Sequence, residues 1–423
     1  MIMRNHTILV LLAGVTLAAC NDLLDVDVPD RVDANDLGVP ENASFLVSGA
    51  IADFECALGA YIVNQGMLGN ELRDASVTAA RFSLDRRDFT LESPYGTNSC
   101  AGNPPGIYRP LSTARWSADN ALQRLDAWTD AEVAGRTGLI ARAATYSGYT
   151  QVLMGEGFCT VVLDELGPEL QPSDAFERAV ERFTRAIETA RAAGDAETEN
   201  LALLGRARAH LDLGNLSQAA ADARALLAND PAFEKLATGS DASSRRWNRV
   251  GDEFWGGRIT VDPSYRDLTV GGEPDPRAVV VDTGTRGHDG TTPVWLATKV
   301  GPARDASLRE ESLPVATWRE AHLIIAEAEG GQEAVSRINV LRDHWDLPSF
   351  SSSDPAEIEA QVLEERSREL FLEGQHLSDL RRHNLPYIPA PGEAYRQGGS
   401  YGSMTCFPLP AVERFNNPNV SNN

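Results

Sequence analysis

Residues 200–231 read NLALLGRARAHLDLGNLSQAAADARALLANDP and contain the clearest structural pattern in the chain. Apolar side chains recur at intervals of three and four residues on both sides of Gly214-Asn215. This spacing predicts two amphipathic helices, and the glycine and asparagine predict a tight turn between them. Pro231 ends the second helix. The stretch therefore predicts an antiparallel helical hairpin.

Similar hairpins are predicted elsewhere along the chain. One covers 139–191, with Asp174 as the expected cap of its second helix, and another covers 315–345. Further helices are expected at 112–127 and from Asp354 towards Gly374. A hairpin of about 34 residues with small residues at the helix contacts is typical of tetratricopeptide repeats. The expected fold class is mostly α, with tetratricopeptide-type hairpins as its scaffold.

Two segments interrupt the helical pattern. Residues 80–110 and 237–312 are rich in glycine, proline and aromatic residues, and we expect them to be long irregular loops. Short β-like runs at 278–281 and 294–299 predict a few short strands. Because long loops on a rigid scaffold often bind ligands, these segments are the expected location of function.

The N-terminus has the features of an export signal. Residues 1–20 read MIMRNHTILVLLAGVTLAAC, with a single positive charge before an apolar run too short to span a bilayer. The ending LAAC resembles the lipobox of bacterial lipoproteins. This resemblance predicts a signal peptide over 1–19, lipidation of Cys20 and an acidic tether over 20–40. The alternative is an ordinary signal peptide with a chance cysteine.

Four further cysteines are expected to form disulfides. Cys56, Cys100, Cys159 and Cys406 are an even number in a chain predicted to be exported. Three pairings are possible, and we favour Cys56–Cys100 with Cys159–Cys406. No C-x-x-C motif is present, which argues against a zinc ribbon or a redox motif.

Composition and motifs exclude several classes of function. The 423-residue chain is 42% hydrophobic, which permits a sizeable core, and has a formal net charge of −23, which argues against a nucleic-acid partner. Its histidines show no metal-ligand spacing, and no cofactor is predicted. One G-x-S-x-G motif occurs at 398–402, but no strand-to-helix context is expected around Ser400. We therefore expect a binding protein and not an enzyme.

The C-terminal third carries a family resemblance. Residues 365–382 read ERSRELFLEGQHLSDLRR, and residues 407–419 read FPLPAVERFNNPN. These motifs, in this order, resemble the SusD/RagB family of outer-membrane nutrient-binding lipoproteins. His376 stands where the family often has arginine. The charged residues of these motifs are expected to form solvated ion pairs that support the scaffold, and not to contact ligand.

The resemblance implies the organisation and role of the whole chain. Residues 41–423 would form a single SusD-like domain, anchored to the outer membrane and facing the cell surface. It would capture an oligosaccharide and pass it to a SusC-like TonB-dependent transporter. Two alternatives are a peptide-binding member of the same family and a periplasm-facing tetratricopeptide scaffold for outer-membrane assembly.

Aromatic residues in the two loop segments are the candidate ligand-binding residues, because a flat ring beside polar groups matches both the faces and the hydroxyls of a sugar. The candidates are Trp247, Trp255, Tyr265, Trp295 and Tyr95. Possible hydrogen-bonding neighbours are Arg246, Asn248 and Arg258. The alternative is that each ring is buried beneath its own loop. The helical tryptophans Trp116, Trp128, Trp318 and Trp345 are expected to belong to the core.

Overall fold

The structure is a computed structural model that describes residues 38–421. The predicted signal peptide, Cys20 and nearly all of the predicted tether therefore lie outside the described residues.

Helices dominate the architecture and include every hairpin that the sequence predicts. They are α1 (Ala43–Leu68), α2 (Ala79–Asp85), α3 (Tyr108–Ala127), α4 (Arg136–Gly157), α5 (Pro172–Ala193), α6 (Ala196–Asp212), α7 (Leu216–Asn229), α8 (Arg249–Trp255), α9 (Trp318–Glu329), α10 (Gly331–His344), α11 (Pro355–Glu369), α12 (His376–Arg382) and α13 (Ala411–Asn416). Helices α4 to α7 pack in sequence order, and α7 then contacts α9. The mostly α prediction is confirmed.

The strands of the described chain form four antiparallel two-stranded ribbons. They are β1 (Leu72–Asp74), β2 (Glu234–Ala237), β3 (Ile259–Val261), β4 (Thr269–Val270), β5 (Glu273–Pro274), β6 (Val280–Arg286), β7 (Pro293–Ala297) and β8 (Leu313–Thr317). The pairs are β1 with β3, β2 with β8, β4 with β5 and β6 with β7. In the first pair, Leu72 lies opposite Val261. The β1–β3 ribbon joins the segment 237–312 to the chain that follows α1, whereas β4–β5 and β6–β7 lie wholly within that segment.

Helix α1 is the centre of the molecule. It contacts α3, α4, α8, α12 and β1. Its second half, 56–68, is buried on every face. Residues Pro40–Leu68 are apolar and long enough to cross a membrane, but 61% of their most apolar window is buried inside the protein. A helix that is apolar all round belongs inside a core, and α1 takes that position here.

Small residues let the hairpins pack closely. The ring of Phe183 on α5 fits between Gly148 on α4 and Gly205 on α6, where a Cβ on either glycine would collide with it. Phe176 fills the same kind of gap at Gly155. This is the close helix contact that the small-residue pattern predicted.

Of the two predicted helix caps, the one at the start of α11 is confirmed and the one at the start of α5 is different. Asp354 caps α11, since its carboxylate accepts hydrogen bonds from the backbone N–H groups of Ala356 and Glu357. Asp174 was predicted as a cap of α5, but the cap is Gln171 and Asp174 is its reciprocal partner. The helix starts earlier because Pro172 is suited to the first turn.

The two segments predicted as loops are more ordered than expected. Residues 80–110 include part of α2, and residues 237–312 contain α8 and the strands β3 to β7. Both contribute buried side chains to the main core, including Phe89, Val250, Phe254 and Leu296. These segments are therefore part of the body and not detachable insertions. The elements α2, α8 and β3 to β7 are only two to seven residues long, too short for a clear periodicity.

The structure contains the two favoured disulfides. Cys56 is bonded to Cys100, which ties α1 to the segment before α3. Cys159 is bonded to Cys406 across 247 residues of sequence. The second bond joins the C-terminal segment to the end of α4, beside the backbone contact of Phe158 with Phe407.

The ion pairs of the C-terminal motif are buried, which corrects the prediction that they are solvated. Arg366 binds both carboxylate oxygens of Asp379 at 2.9 Å. Glu365 accepts hydrogen bonds from Arg342 on α10 and from Arg277. All of these side chains are almost fully enclosed. The motif is enclosed because α9, α10 and α12 pack around α11.

Three glutamates in the core have raised pKa values, and one of them, Glu369, has a close partner of opposite charge, since the Nε of Arg319 lies 3.0 Å from its carboxylate. Burial raises the pKa of Glu71, Glu320 and Glu369 to about 7. The nearest guanidinium to Glu320 is that of Arg208, at 3.9 Å. Ionising such a group costs the folded state free energy that the unfolded chain does not lose.

We predict that Glu320→Gln stabilises the protein above neutral pH. The folded pKa lies above the ordinary value of 4.5, so this carboxyl makes the fold lose stability as pH rises from about 4.5 to 7. The variant should match the native protein at pH 4 and exceed it by roughly 3 kcal/mol at pH 8. Urea unfolding at both pH values measures the difference. Equal stability of the two proteins at pH 8 would contradict the prediction.

Candidate ligand-binding site

A tryptophan–arginine site lies around helix α8. Trp247 precedes the helix and Trp255 is its last residue. The guanidinium carbon of Arg309 lies 3.5 Å from the ring centre of Trp247 and 4.1 Å from that of Trp255. Arg309 therefore contacts both rings at cation–π distance. We use the name tryptophan–arginine site for these three residues together with Asp252.

Local sequence explains this geometry. The side chain of Asn248 accepts a hydrogen bond from the Gly251 N–H at 3.0 Å and so caps α8. Its backbone N–H donates to the carbonyl of Arg309 at 2.8 Å. The start of α8 is thereby fixed against the turn that carries Arg309.

Asp252 is the electrostatic anchor of the site. Its buried carboxylate pairs with Arg309 and Arg249, at 2.8 and 2.7 Å, and with Arg258 at 3.2 Å. Burial lowers the pKa of Arg249, although Asp252 acts in the opposite direction. One carboxylate thus contacts three guanidinium groups, of which Arg258 also pairs with the buried Glu253 at 3.5 Å.

The site offers a rigid aromatic surface. Trp255 remains 38% exposed, although the Arg309 guanidinium contacts its ring. The indole nitrogen of Trp247 is buried and has no hydrogen-bond partner. A flat exposed ring beside fixed guanidinium donors suits a ligand with one apolar face and an oxygen-rich edge.

The structure brings together only some of the predicted ligand-binding residues. Trp247 and Trp255 share one site, whereas half-buried Trp295 has Arg266 over its ring at 4.9 Å. Tyr95 is buried, and its hydroxyl donates to the carbonyl of Pro408. Tyr265 is buried and stacks on Phe371 with ring centres 4.3 Å apart. The two tyrosines therefore pack in the body and are not available for stacking on a ligand.

The three predicted polar neighbours have different positions. Arg258 belongs to the Asp252 cluster, and Asn248 is the cap of α8. Arg246 is exposed and lies near Glu55 on α1, where it lowers the pKa of that carboxyl against the larger effect of burial. Sequence reasoning missed Arg309. In the sequence, Arg309 is a single arginine in a polar segment, and nothing there distinguishes it from an ordinary surface arginine.

Trp116 was predicted to be in the core, and the structure contradicts this. It is 56% exposed, because the buried stripe of α3 runs through Leu111, Ala114, Ala118 and Ala121 and leaves position 116 on the opposite face. Trp116 lines a cleft of about 610 Å³ that also contains Leu166 and Val412. The remaining helical tryptophans are half-buried.

Neither a metal cluster nor the G-x-S-x-G motif forms a catalytic arrangement in the part of the chain that the structure describes. They contain no group of three or more His, Cys, Asp or Glu side chains placed to hold a metal ion. Ser400 of the G-x-S-x-G motif follows two glycines of positive φ and forms an isolated antiparallel β-bridge with Ala394, and no helix comes directly after it. It therefore lacks the strand-to-helix turn of a nucleophile elbow.

Comparison with known proteins agrees with the fold and the C-terminal motif. Residues 320–422 match the model of the SusD family. A SusD-like carbohydrate-binding protein from Bacteroides vulgatus has a similar structure, with a TM-score of 0.68, 15% identity, and coverage of 90% of this chain and 97% of that one. A SusD homologue from Bacteroides thetaiotaomicron gives a TM-score of 0.65 and 15% identity, with 91% and 97% covered. No curated protein matches the sequence.

The described body thus has the fold of SusD-like proteins. The resemblance of the sequence to the SusD family is confirmed by this fold and by the family match of the C-terminal quarter of the chain.

We predict that Asp252→Asn destabilises the protein by about 3–5 kcal/mol, because three guanidinium groups lose their common buried counter-charge. Urea unfolding followed by tryptophan fluorescence measures the loss and also reports on Trp247 and Trp255. Asp241→Asn is the matched control, since Asp241 is exposed in the same segment. Equal stability of the two variants would show that Asp252 does not anchor the site.

Proposed function

We propose that this protein is a cell-surface nutrient-binding lipoprotein that captures an oligosaccharide at the tryptophan–arginine site. The single observation that carries the proposal is the exposed ring of Trp255, held rigid by Arg309 and Asp252 on a SusD-like body. One protein of similar structure is described as carbohydrate binding.

The chemistry of the site favours a saccharide. A pyranose presents axial C–H groups to an indole ring and hydroxyl groups to its sides. Arg258 and Arg309 have positions fixed by Asp252, so a ligand loses little free energy to ordering these side chains. Binding needs no covalent step, and no residue of the site serves as a nucleophile.

Transfer and anchoring complete the proposal. The resemblance to the SusD/RagB family implies delivery of the ligand to a SusC-like TonB-dependent transporter in the outer membrane. Lipidation of Cys20 would keep the protein there, since a triacylated cysteine exceeds the two signals that stable anchoring needs.

Two alternatives remain distinguishable by experiment. A peptide-binding member of the family would use the same exposed tryptophan and arginines. A periplasm-facing assembly scaffold would not need the rigid aromatic surface around α8. Comparing the binding of glycans with the binding of peptides therefore distinguishes the proposal from the first alternative. Identifying the membrane partner distinguishes it from the second.

We predict that Trp255→Ala weakens glycan binding by roughly tenfold or more, because aromatic contacts dominate such sites. Affinity electrophoresis of the purified full-length chain through gels that contain xylan, dextran or amylopectin measures the effect. Trp116→Ala is the matched control, since it removes an exposed tryptophan from a different cleft. If Trp116→Ala loses glycan binding and Trp255→Ala keeps it, the ligand binds in the cleft around Trp116, and the proposal is wrong. Binding of peptides without any of the glycans would favour the peptide-binding alternative.

A further inference from the structure

A second cavity lies between the end of α12 and the segment that precedes Cys406. It has a volume of about 480 Å³, which is within the range of small-molecule sites. We name it the arginine pocket. The polar residues that line it are Arg87, Arg381, Asn384, Tyr387, Ser403 and Thr405.

Arg87 is unusual among the buried arginines of this protein. Its side chain is only 1% exposed, yet it forms no ion pair with any described carboxylate. Its guanidinium donates to the carbonyl of Pro389 and weakly to the Asn70 side chain at 3.4 Å, and its Nε has no partner. Burial lowers the pKa of Arg87. Burying a guanidinium without a paired carboxylate is costly, so an anion placed beside Arg87 would be stabilised.

Arg381 adds a second positive charge without a paired carboxylate. Its guanidinium donates to the backbone carbonyl of Glu156 and forms no ion pair within residues 38–421. Arg87 and Arg381 both act to lower the pKa of Tyr387, which burial nonetheless raises to about 12. The guanidinium carbon of Arg87 lies 5.3 Å from the centre of the Tyr387 ring, and both arginines line the same cavity.

The pocket is free of acidic residues. None of its lining residues is aspartate or glutamate, although the chain contains 61 acidic residues against 38 basic ones. The negative field of the whole protein repels anions. This cavity differs from the rest of the protein in charge, because its lining has two arginines and no acidic residue. An anionic ligand would therefore be repelled less here than elsewhere.

The backbone holds these walls in place. Arg87 and Asn384 both have positive φ, at 59° and 50°. Gly402 lies against the carbonyl of Arg87, where a Cβ would collide with it, and its N–H donates to the carbonyl of Arg86 at 2.7 Å. Such constrained conformations are common at ligand clamps.

We propose that the arginine pocket binds the carboxylate of an acidic saccharide, such as a uronic acid unit. Two guanidinium groups suit the carboxylate. The Tyr387 ring and the polar side chains of Asn384, Ser403 and Thr405 suit a pyranose ring and its hydroxyls. The inference depends on this pocket alone, so it holds or fails independently of the tryptophan–arginine site.

Isothermal titration calorimetry of the full-length chain with D-galacturonate tests the proposal. D-Galactose is the neutral control ligand, and N-acetylalanine is a carboxylate without a sugar ring. Galacturonate should bind in the millimolar range and at least about tenfold more tightly than galactose, since charge-assisted hydrogen bonds contribute this much. The variants Arg87→Met and Arg381→Met should each weaken galacturonate binding by roughly tenfold or more.

Arg109→Met is the matched control variant, because Arg109 also has no carboxylate partner among residues 38–421 but lines the cleft around Trp116. It should bind galacturonate like the native protein. Arg381 is only half-buried, so its variant tests the pocket even if Arg87→Met fails to fold. Retained affinity in Arg381→Met, equal affinity for galacturonate and galactose, or no galacturonate binding below about 10 mM would overturn the proposal. Equal binding of N-acetylalanine would overturn the saccharide class.

Discussion

A buried guanidinium needs a counter-charge, and this constraint organises much of the structure. The chain has 38 basic residues, of which only Lys235 and Lys299 are lysines. Arginine presents a planar fork that pairs well with a carboxylate inside a protein. The pairs of Arg366 with Asp379 and of Arg342 with Glu365 join the C-terminal motif to the surrounding helices. Breaking one such pair leaves a buried charge, so these residues specify how α10, α11 and α12 meet.

The same rule connects the scaffold to ligand binding. At α8 a single carboxylate, Asp252, orients Arg309 against two tryptophan rings, so the counter-charge positions an aromatic surface. At Arg87 the rule is broken, since a buried guanidinium has no described carboxylate partner and faces an open cavity. Under the two proposals, the first site would bind a neutral saccharide and the second an acidic one. The two sites together would let one protein recognise a glycan of mixed charge.

The sequence predicted the features that depend on local pattern. The hairpin of 200–231 appears as α6 and α7 because its apolar stripes are regular and its turn is marked by Gly214. Helix α1 was not predicted, because a helix buried on all sides has no amphipathic period. The residues of the site depend on distance in space: Arg309 meets Trp255 across 54 positions of sequence, and no local pattern encodes that contact. Tyr95 and Tyr265 were misassigned because an aromatic residue in a short irregular segment looks the same in sequence whether it is buried or exposed.

Detergent extraction of the tagged protein from its own membranes, followed by mass spectrometry of its partners, tests the central claim most directly. The account predicts a TonB-dependent outer-membrane barrel in near-equal amount, since a capture protein must pass its ligand to a transporter. Recovery of the protein in the soluble fraction, alone, or with envelope-assembly proteins would contradict the uptake role.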